Sequence, residues 1–297
     1  MRPEMAARPL HLFEAGIITE QRFIGLQEAP TALAGMLAER LGAEKRVRIP
    51  FNPRERWMSA AREACRTLAD GVLGSLQEGA RPVVVGGECT LLAGAISGAL
   101  TAEPELSLVY LDAHGDFNTL ATTPSHYIAG MVLAHLCGRS VAPLLFPGAR
   151  KIDEGRVALV GARSLDSGEL ENLDRSRVLR IPLEGANPDA AGIVAWSRRR
   201  RIWLHLDVDV INPAEFPAVA FAALGGPSLD AIADLLRRLF AVADVRGMSI
   251  CGYDARADRK HALAAPLADA LAEAIGRVPV RDRPESGVPL ERHWRTC

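Results

Sequence analysis

Asp112, His114 and Asp116 alternate in the stretch Asp112-Ala113-His114-Gly115-Asp116-Phe117-Asn118-Thr119, directly after the apolar run Leu106–Leu111. Alternate side chains of an extended backbone share a face. Three groups able to bind a metal would therefore converge where a buried strand leaves its sheet. A second stretch repeats the arrangement: Trp203-Leu204-His205-Leu206-Asp207-Val208-Asp209 is an apolar strand ending in carboxylates two apart. Gathering these Asp residues and a His without a cation is costly, because like charges repel and burial penalises charge. The competing reading makes each Asp a turn or helix cap. It suits any one carboxylate and is much the weaker for both sets together.

A third candidate lies in Pro82-Val83-Val84-Val85-Gly86-Gly87-Glu88-Cys89-Thr90, which reads as strand, tight turn and helix start. The glycines let the backbone approach a neighbour closely. Cys89 at the turn is either an inert small hydrophobe or a further metal ligand.

The elements that must position these groups alternate in type. Amphipathic or small-residue helices are expected from Thr31, as N-cap, to about Leu41, and over 56–78, Leu91–Leu100, Ala129–Cys137, 188–199, Leu229–Val242 and Leu263–Ile275. Strands are expected at Arg156–Gly161, Arg177–Ile181, Ile202–Asp207 and Gly247–Cys251, besides the two that end at Gly86 and Leu111. Residues 1–24 read as irregular, Ala121–Tyr127 as a polar loop, and 278–297 as a Pro- and charge-rich surface strap. Such alternation specifies an α/β fold with a mainly parallel sheet. In such sheets the site lies at the carboxyl ends of the strands, where Cys89, Asp112, His114, Asp116, Asp207 and Asp209 all map.

Composition narrows the class. The chain has 297 residues, 48% hydrophobic, with a formal net charge of −1, so it can build a substantial core and shows no nucleic-acid or membrane surface. The run Arg198–Arg201 reads as a helix C-terminus favoured by the helix dipole. No apolar run reaches the ~18 residues of a membrane span, and Met1-Arg2-Pro3-Glu4 lacks a signal-peptide core. Five scattered cysteines argue against a disulfide framework and for a reducing, cytoplasmic home. No internal repeat or linker interrupts the chain, so a single domain over 1–297 is expected, with its core at about 25–277.

Together the three stretches resemble the ureohydrolase superfamily of arginases and agmatinases, from about Gly25 to Ile275. The superfamily's Gly-Gly-acidic-His-Ser turn corresponds to Gly86-Gly87-Glu88-Cys89-Thr90. Its Asp-Ala-His-x-Asp-x-Asn motif corresponds to Asp112–Asn118, and its Asp-Val-Asp-x-x-Asp-Pro stretch to Asp207-Val208-Asp209-Val210-Ile211-Asn212-Pro213. The resemblance implies a three-layer α/β/α fold with about eight strands, arginase-like, and a homo-oligomer, trimer or hexamer. It also implies two Mn²⁺ ions, bridged by Asp112 and Asp207. Asp116 and Cys89 would complete one ion, and His114 and Asp209 the other. A metal-bound hydroxide would attack the guanidino carbon of a small-molecule substrate, with Asp116 as proton carrier. Asn118, Thr123 and Ser125 fall on positions that hold the amino-acid carboxylate in arginases, and Asp166 on the one facing the α-amino group.

Three departures set this chain apart. Cys89 replaces a ligand His, so it could ligate, favour another metal or weaken that site. The active-site His becomes Ala129; His126, three residues earlier, either substitutes or is an ordinary loop residue. The Glu that grips the guanidinium becomes Gly252, and Asp254 compensates only if its loop curls. Cys at the ligand position also resembles the Nω-hydroxy-L-arginine amidinohydrolases of this family, whose less basic substrate needs that Glu less. The expectation is a metal-dependent amidinohydrolase acting on arginine or, in preference, an Nω-modified arginine. Two alternatives stand beside it: hydrolysis of another guanidino or formimino acid, and an inactive metal-binding or regulatory relative.

Overall fold

The computed structural model describes residues 8–54, 56–139 and 149–275. Its strands are β1 (Leu10–Ala15), β2 (Lys45–Arg48), β3 (Arg81–Gly86), β4 (Ser107–Leu111), β5 (Val157–Val160), β6 (Leu179–Ile181), β7 (Arg201–Asp207) and β8 (Asp244–Cys251). They form one eight-stranded sheet in the order β2-β1-β3-β8-β7-β4-β5-β6, parallel throughout. The helices among the described residues are α1 (Ile24–Gln27), α2 (Ala29–Leu41), α3 (Trp57–Gln77), α4 (Leu92–Ala102), α5 (Val132–Leu136), α6 (Ser167–Asp174), α7 (Ala191–Ser197), α8 (Leu229–Val242) and α9 (Ala264–Ile275).

Strand residues of alternate parity feed two separate cores, as the pleat requires. Leu10, Val83, Val109, Leu204 and Met248 pack with α2, α7, α8 and α9 on one face. Phe13, Val84, Tyr110 and Trp203 pack with α3, α4 and α5 on the other. A sheet covered on both faces needs apolar side chains at both parities, which is why β3, β4 and β7 read as continuous apolar runs. The result is the expected three-layer α/β/α arrangement.

Several local expectations need correction. Residues 10–15 are not irregular: they form β1, wholly buried between β2 and β3. Its polar residues are served from outside the strand. His11 Nδ1 lies 2.9 Å from Ser75 Oγ, and Glu14 accepts from Arg46 and Arg48 of β2. Thr31 is not an N-cap, because α2 already starts at Ala29 with Pro30 in its first turn, where a missing N–H is tolerated. The arginine run starts at the C-terminus of a helix, as expected, with Arg198 as C-cap and Arg200 Nε donating to the Trp196 carbonyl at 2.8 Å, but it goes on into a strand. α7 stops at Ser197, Arg199 adopts a left-handed φ of 63°, and Arg201 opens β7. The 278–297 strap lies outside the described residues.

Four central strands, β3, β8, β7 and β4, end side by side and bring Cys89, Cys251, Asp207 and Asp112 to one edge. Gly87 makes the β3 turn possible: a Cβ there would stand 2.3 Å from the Ile17 carbonyl oxygen.

Candidate metal centre

The metal-competent atoms of Asp112, His114 and Asp209 lie within 4.8 Å of one another, as do those of Cys89, Asp112 and Asp207. Asp112 belongs to both groups. His114 Nδ1 lies 3.0 Å from Asp209 Oδ2 and 3.5 Å from Asp112 Oδ1. Backbone donors fix the carboxylates. His114 N donates to Asp112 Oδ1 at 2.7 Å, Asp209 N to Asp207 Oδ1 at 2.9 Å, and Ala113 N to Asp209 Oδ1 at 3.2 Å. Asp207 caps the short 3₁₀ turn after β7, so capping and clustering coexist in one residue.

These carboxylates are buried together. Burial, then the charges of Asp209, Asp116 and Asp207, hold Asp112 well above the carboxylate range. Burial raises Asp207 to about 7, helped by Asp209. Burial likewise raises Asp116 to about 8, against the lowering effect of the Tyr110 hydroxyl bound to its Oδ2. Burial works against an imidazolium at His114, but its bonds to Asp112 and Asp209 prevail and push it up to about 12. Raised carboxylates around a paired imidazole are what a proton-filled cation site looks like. Nitrogen and oxygen donors suit a hard to borderline divalent ion, so the Asp112, His114 and Asp209 group fits Mn²⁺.

Position 89 is more complicated. The Cys89 sulfur lies 3.2 Å from Asp207 Oδ2 and 3.6 Å from Asp112 Oδ2, within reach of a shared cation. It also lies 3.5 Å from the Cys251 sulfur. That neighbour, burial and the surrounding carboxylates raise the Cys89 thiol well above its ordinary value. Asp116 belongs to neither donor group; it sits at a left-handed φ of 49° on Tyr110.

A cavity of about 250 Å³ opens above these groups. Asn118, Ser125, Asp166 and Glu169 supply polar lining, and Tyr127, Phe221 and Leu26 an apolar wall. Asn118 Nδ2 donates to Asp166 Oδ2 at 2.9 Å, which joins two of the expected substrate contacts. Thr123 does not line the cavity; its hydroxyl accepts the His126 N–H at 3.1 Å and holds the loop. His126 is exposed on a left-handed turn of φ 55° and is absent from the cavity wall, which Ala129 lines. Asp254 is also absent from the wall, because it accepts N–H groups of Arg256 and Ala257 in its own turn.

Four site groups were not foreseen. Glu169 receives the Phe117 N–H at 2.7 Å and the Asp166 N–H at 3.3 Å, tying α6 to the Asp112 loop. Glu88 accepts hydroxyls of Thr19, Thr90 and Tyr127. Tyr110 and Cys251 complete the set. Glu88 fell on the acidic position of the Gly-Gly turn, Glu169 stands at the third helical position after Asp166 as a capping box requires, and Cys251 ends an apolar strand; Tyr110 carried no signal.

The arginase family's sequence model matches residues 18–276. Arginase from Bacillus caldovelox is 31% identical over 203 residues, covering 63% of this chain and 65% of that protein. N(omega)-hydroxy-L-arginine amidinohydrolase from Streptomyces lavendulae is 32% identical over 158 residues, 53% of this chain and 56% of that one. The chain thus spans less than two thirds of the length of these relatives. The solved native structure of the Bacillus caldovelox arginase superposes with a TM-score of 0.81 at 24% identity, over 91% of this chain and 98% of that one, a likeness of fold.

Proposed function

The chain belongs to the arginase family, and from that premise we propose that it is a metal-dependent amidinohydrolase of arginine or, in preference, an Nω-modified arginine. Cleavage of a guanidino C–N bond would release urea or hydroxyurea. The observation that carries this reading is the pair of donor groups sharing Asp112 beneath a small polar-rimmed cavity. Asp112, Asp207, Asp209, His114, Cys89 and Asp116 are the residues that would hold two Mn²⁺ ions. Bound there, the ions would lower the pKa of a shared water so that hydroxide is available near neutral pH.

The protein's own groups do the rest. Asn118, Ser125 and Asp166, on the cavity wall, orient an α-amino-acid end, and this favours an amino-acid substrate over a simple amine. Thr123 acts one step back, by holding that loop. Tyr110 fixes one oxygen of Asp116 and leaves the other to carry a proton to the leaving nitrogen. Tyr127 and Phe221 keep the wall apolar and limit water around the reacting carbon.

The preference for a modified arginine rests on Gly252. It lines the cavity at φ 81° and presents no anion to a guanidinium. A hydroxyguanidine is less basic than a guanidine and depends less on such an anion. The same reading takes the chain as one domain that acts as a cytoplasmic homo-oligomer, trimer or hexamer. Among the described residues no helix is long and apolar enough to cross a membrane.

The deciding experiment measures urea and hydroxyurea release by Mn²⁺-loaded protein from L-arginine, Nω-hydroxy-L-arginine and agmatine in parallel. Turnover of the hydroxylated substrate above arginine is expected. Turnover of agmatine above both would overturn the amino-acid reading. Silence on all three, with metal bound, would favour an inactive relative.

A further inference from the structure

Behind the cavity, two sulfurs, an imidazole nitrogen and a carboxylate oxygen face one another. Cys89 Sγ lies 3.5 Å from Cys251 Sγ, and Cys251 Sγ lies 3.6 Å from His205 Nε2. Asp207 Oδ2 is 3.2 Å from the first sulfur and 3.3 Å from the second. The metal-competent atoms of Cys89, His205 and Cys251 all lie within 4.8 Å of one another. Cys251 and His205 are 1% and 0% exposed, and Cys89 and Asp207 are the members that line the cavity. An ion held tetrahedrally at about 2.0–2.3 Å by sulfur, nitrogen and oxygen separates its ligands by roughly 3.3–3.8 Å. The observed edges, 3.2 to 3.6 Å, are close to that figure before any cation has drawn the donors together.

The imidazole is oriented as a ligand. His205 Nδ1 lies 2.8 Å from Ser249 Oγ, which also accepts the Trp203 indole N–H at 3.0 Å. In the tautomer whose Nδ1 donates to that hydroxyl, the Nε2 lone pair faces the Cys251 sulfur at 3.6 Å. Anchoring one ring nitrogen so that the other faces the metal is how ligating histidines are held. Packing alone requires neither a second sulfur at the end of β8 nor a His two residues before Asp207 on β7.

We propose that Cys89, Cys251 and His205, with Asp207, form a thiolate site for a soft divalent cation of the Zn²⁺ class, beside the oxygen-rich group Asp112, His114 and Asp209. The proposal deepens the metal-hydrolase reading and rests on it only in sharing Asp207 and the cavity as entry route. Each thiol that ligates gives up its proton, so one cation entering as M²⁺ replaces two protons. Thiolates select soft ions and the carboxylate–imidazole group selects harder ones, so the two positions sort metals by ligand softness. The soft ion would then take the place of the second Mn²⁺, and Cys89 would act beside Cys251 as a true ligand rather than an impaired substitute for His.

The test uses the full chain, purified under reducing conditions, stripped with a chelator and titrated with Co²⁺. Wild type should show a near-ultraviolet thiolate-to-cobalt charge-transfer band. Cys251→Ser, close to isosteric, should lower that band by about half, as one of two thiolates is lost. His205→Gln should shift the visible cobalt spectrum, and added Zn²⁺ but not Mn²⁺ should bleach the band. Electron paramagnetic resonance of Mn²⁺ reads the other group separately: Asp209→Asn should abolish Mn²⁺ binding and leave the thiolate band. Absence of the band in wild type overturns the proposal. So does a band that is unchanged in both Cys251→Ser and His205→Gln, or a Cys89–Cys251 disulfide in protein that takes up no Co²⁺. Loss of Mn²⁺ binding in wild type, with the band intact, would sink the Mn²⁺ hydrolase reading and leave this site standing.

Discussion

At position 252 the backbone has a φ of 81°, and a Cβ there would fall 1.9 Å from Asp207 Oδ1. The glycine is therefore a requirement of the local geometry as well as a missing anion. Gly252→Ala should destabilise the protein by about 1–3 kcal/mol, as strained backbone positions do, and should weaken metal retention by displacing Asp207. Thermal unfolding with and without Mn²⁺ measures both. Gly252→Glu should behave no better than the Ala variant, and recovery of arginine turnover in it would refute this account. Asp112→Asn and Asp207→Asn should each lower turnover by more than about 100-fold if, as proposed, each is a direct metal ligand, since outer-shell losses alone cost 10- to 100-fold. His126→Ala should retain turnover within about 2-fold, as exposed substitutions away from structural features usually do; a deep loss would return His126 to the chemistry. At this scale Asp112 and His114 were legible, because alternation puts them together without knowledge of the fold, whereas Asp116 turns off at a left-handed φ of 49° onto Tyr110. The burial of Cys251 against Cys89 was not legible. It depends on β8 lying between β3 and β7, a pairing of segments 162 residues apart.

The elements that hold these residues differ in how plainly they show. α8 is marked by its amphipathic pattern, and Ser228 caps it by accepting the Ala231 N–H at 3.1 Å, so its expected limits match the observed Leu229–Val242. β1 and β2 were invisible for opposite reasons. β1 is buried on both faces and carries His11 and Glu14 inside, which breaks the apolar run. β2, Lys-Arg-Val-Arg at the sheet edge, looks like a loop because edge strands carry charge that discourages further pairing. Glu14 joins the two strands through Arg46 and Arg48. Glu14→Ala should therefore cost about 1–3 kcal/mol in denaturant unfolding, the range for hydrogen bonds to a charged group. Glu169 joins α6 to the site loop in a similar way. Glu169→Ala frees the Phe117 and Asp166 N–H groups together, so it should lower stability by a like amount and turnover as well, by loosening Asp116 and Asp166. A stability loss with unchanged turnover would separate the helix from the site.

For the whole molecule, the parallel sheet exacts a common cost: β4 and β7 deliver carboxylates, and β3 and β8 deliver thiols, to one buried edge, which protons or cations must occupy. In the metal-free protein Asp207 is raised to about 7 and Asp116 to about 8, by burial first, and His114 to about 12, its two carboxylate partners overcoming burial. The unfolded chain releases the same protons near about 3.9 for Asp and 6.5 for His. Each folded-state pKa lies above its unfolded value. The stabilisation that these bound protons give is full below the unfolded pKa and is lost as pH climbs toward the folded one. Metal-free protein should accordingly lose stability between about pH 4 and pH 8, the window set by the two carboxylates, with His114 adding to the loss above about 6.5. A divalent ion replaces the protons, so its binding strengthens over the same window. Carboxylates elsewhere run in the opposite direction: Glu154, with its Arg139 bond, and Glu28, with its Arg256 bond, are lowered and gain as pH rises. They are the same with and without metal, so the difference between the two melting curves cancels them. The rise in Tm on adding Mn²⁺ should be small at acidic pH and grow steadily toward pH 8. An equal rise across that range would mean that the ion does not bind where Asp116, Asp207 and His114 hold their protons.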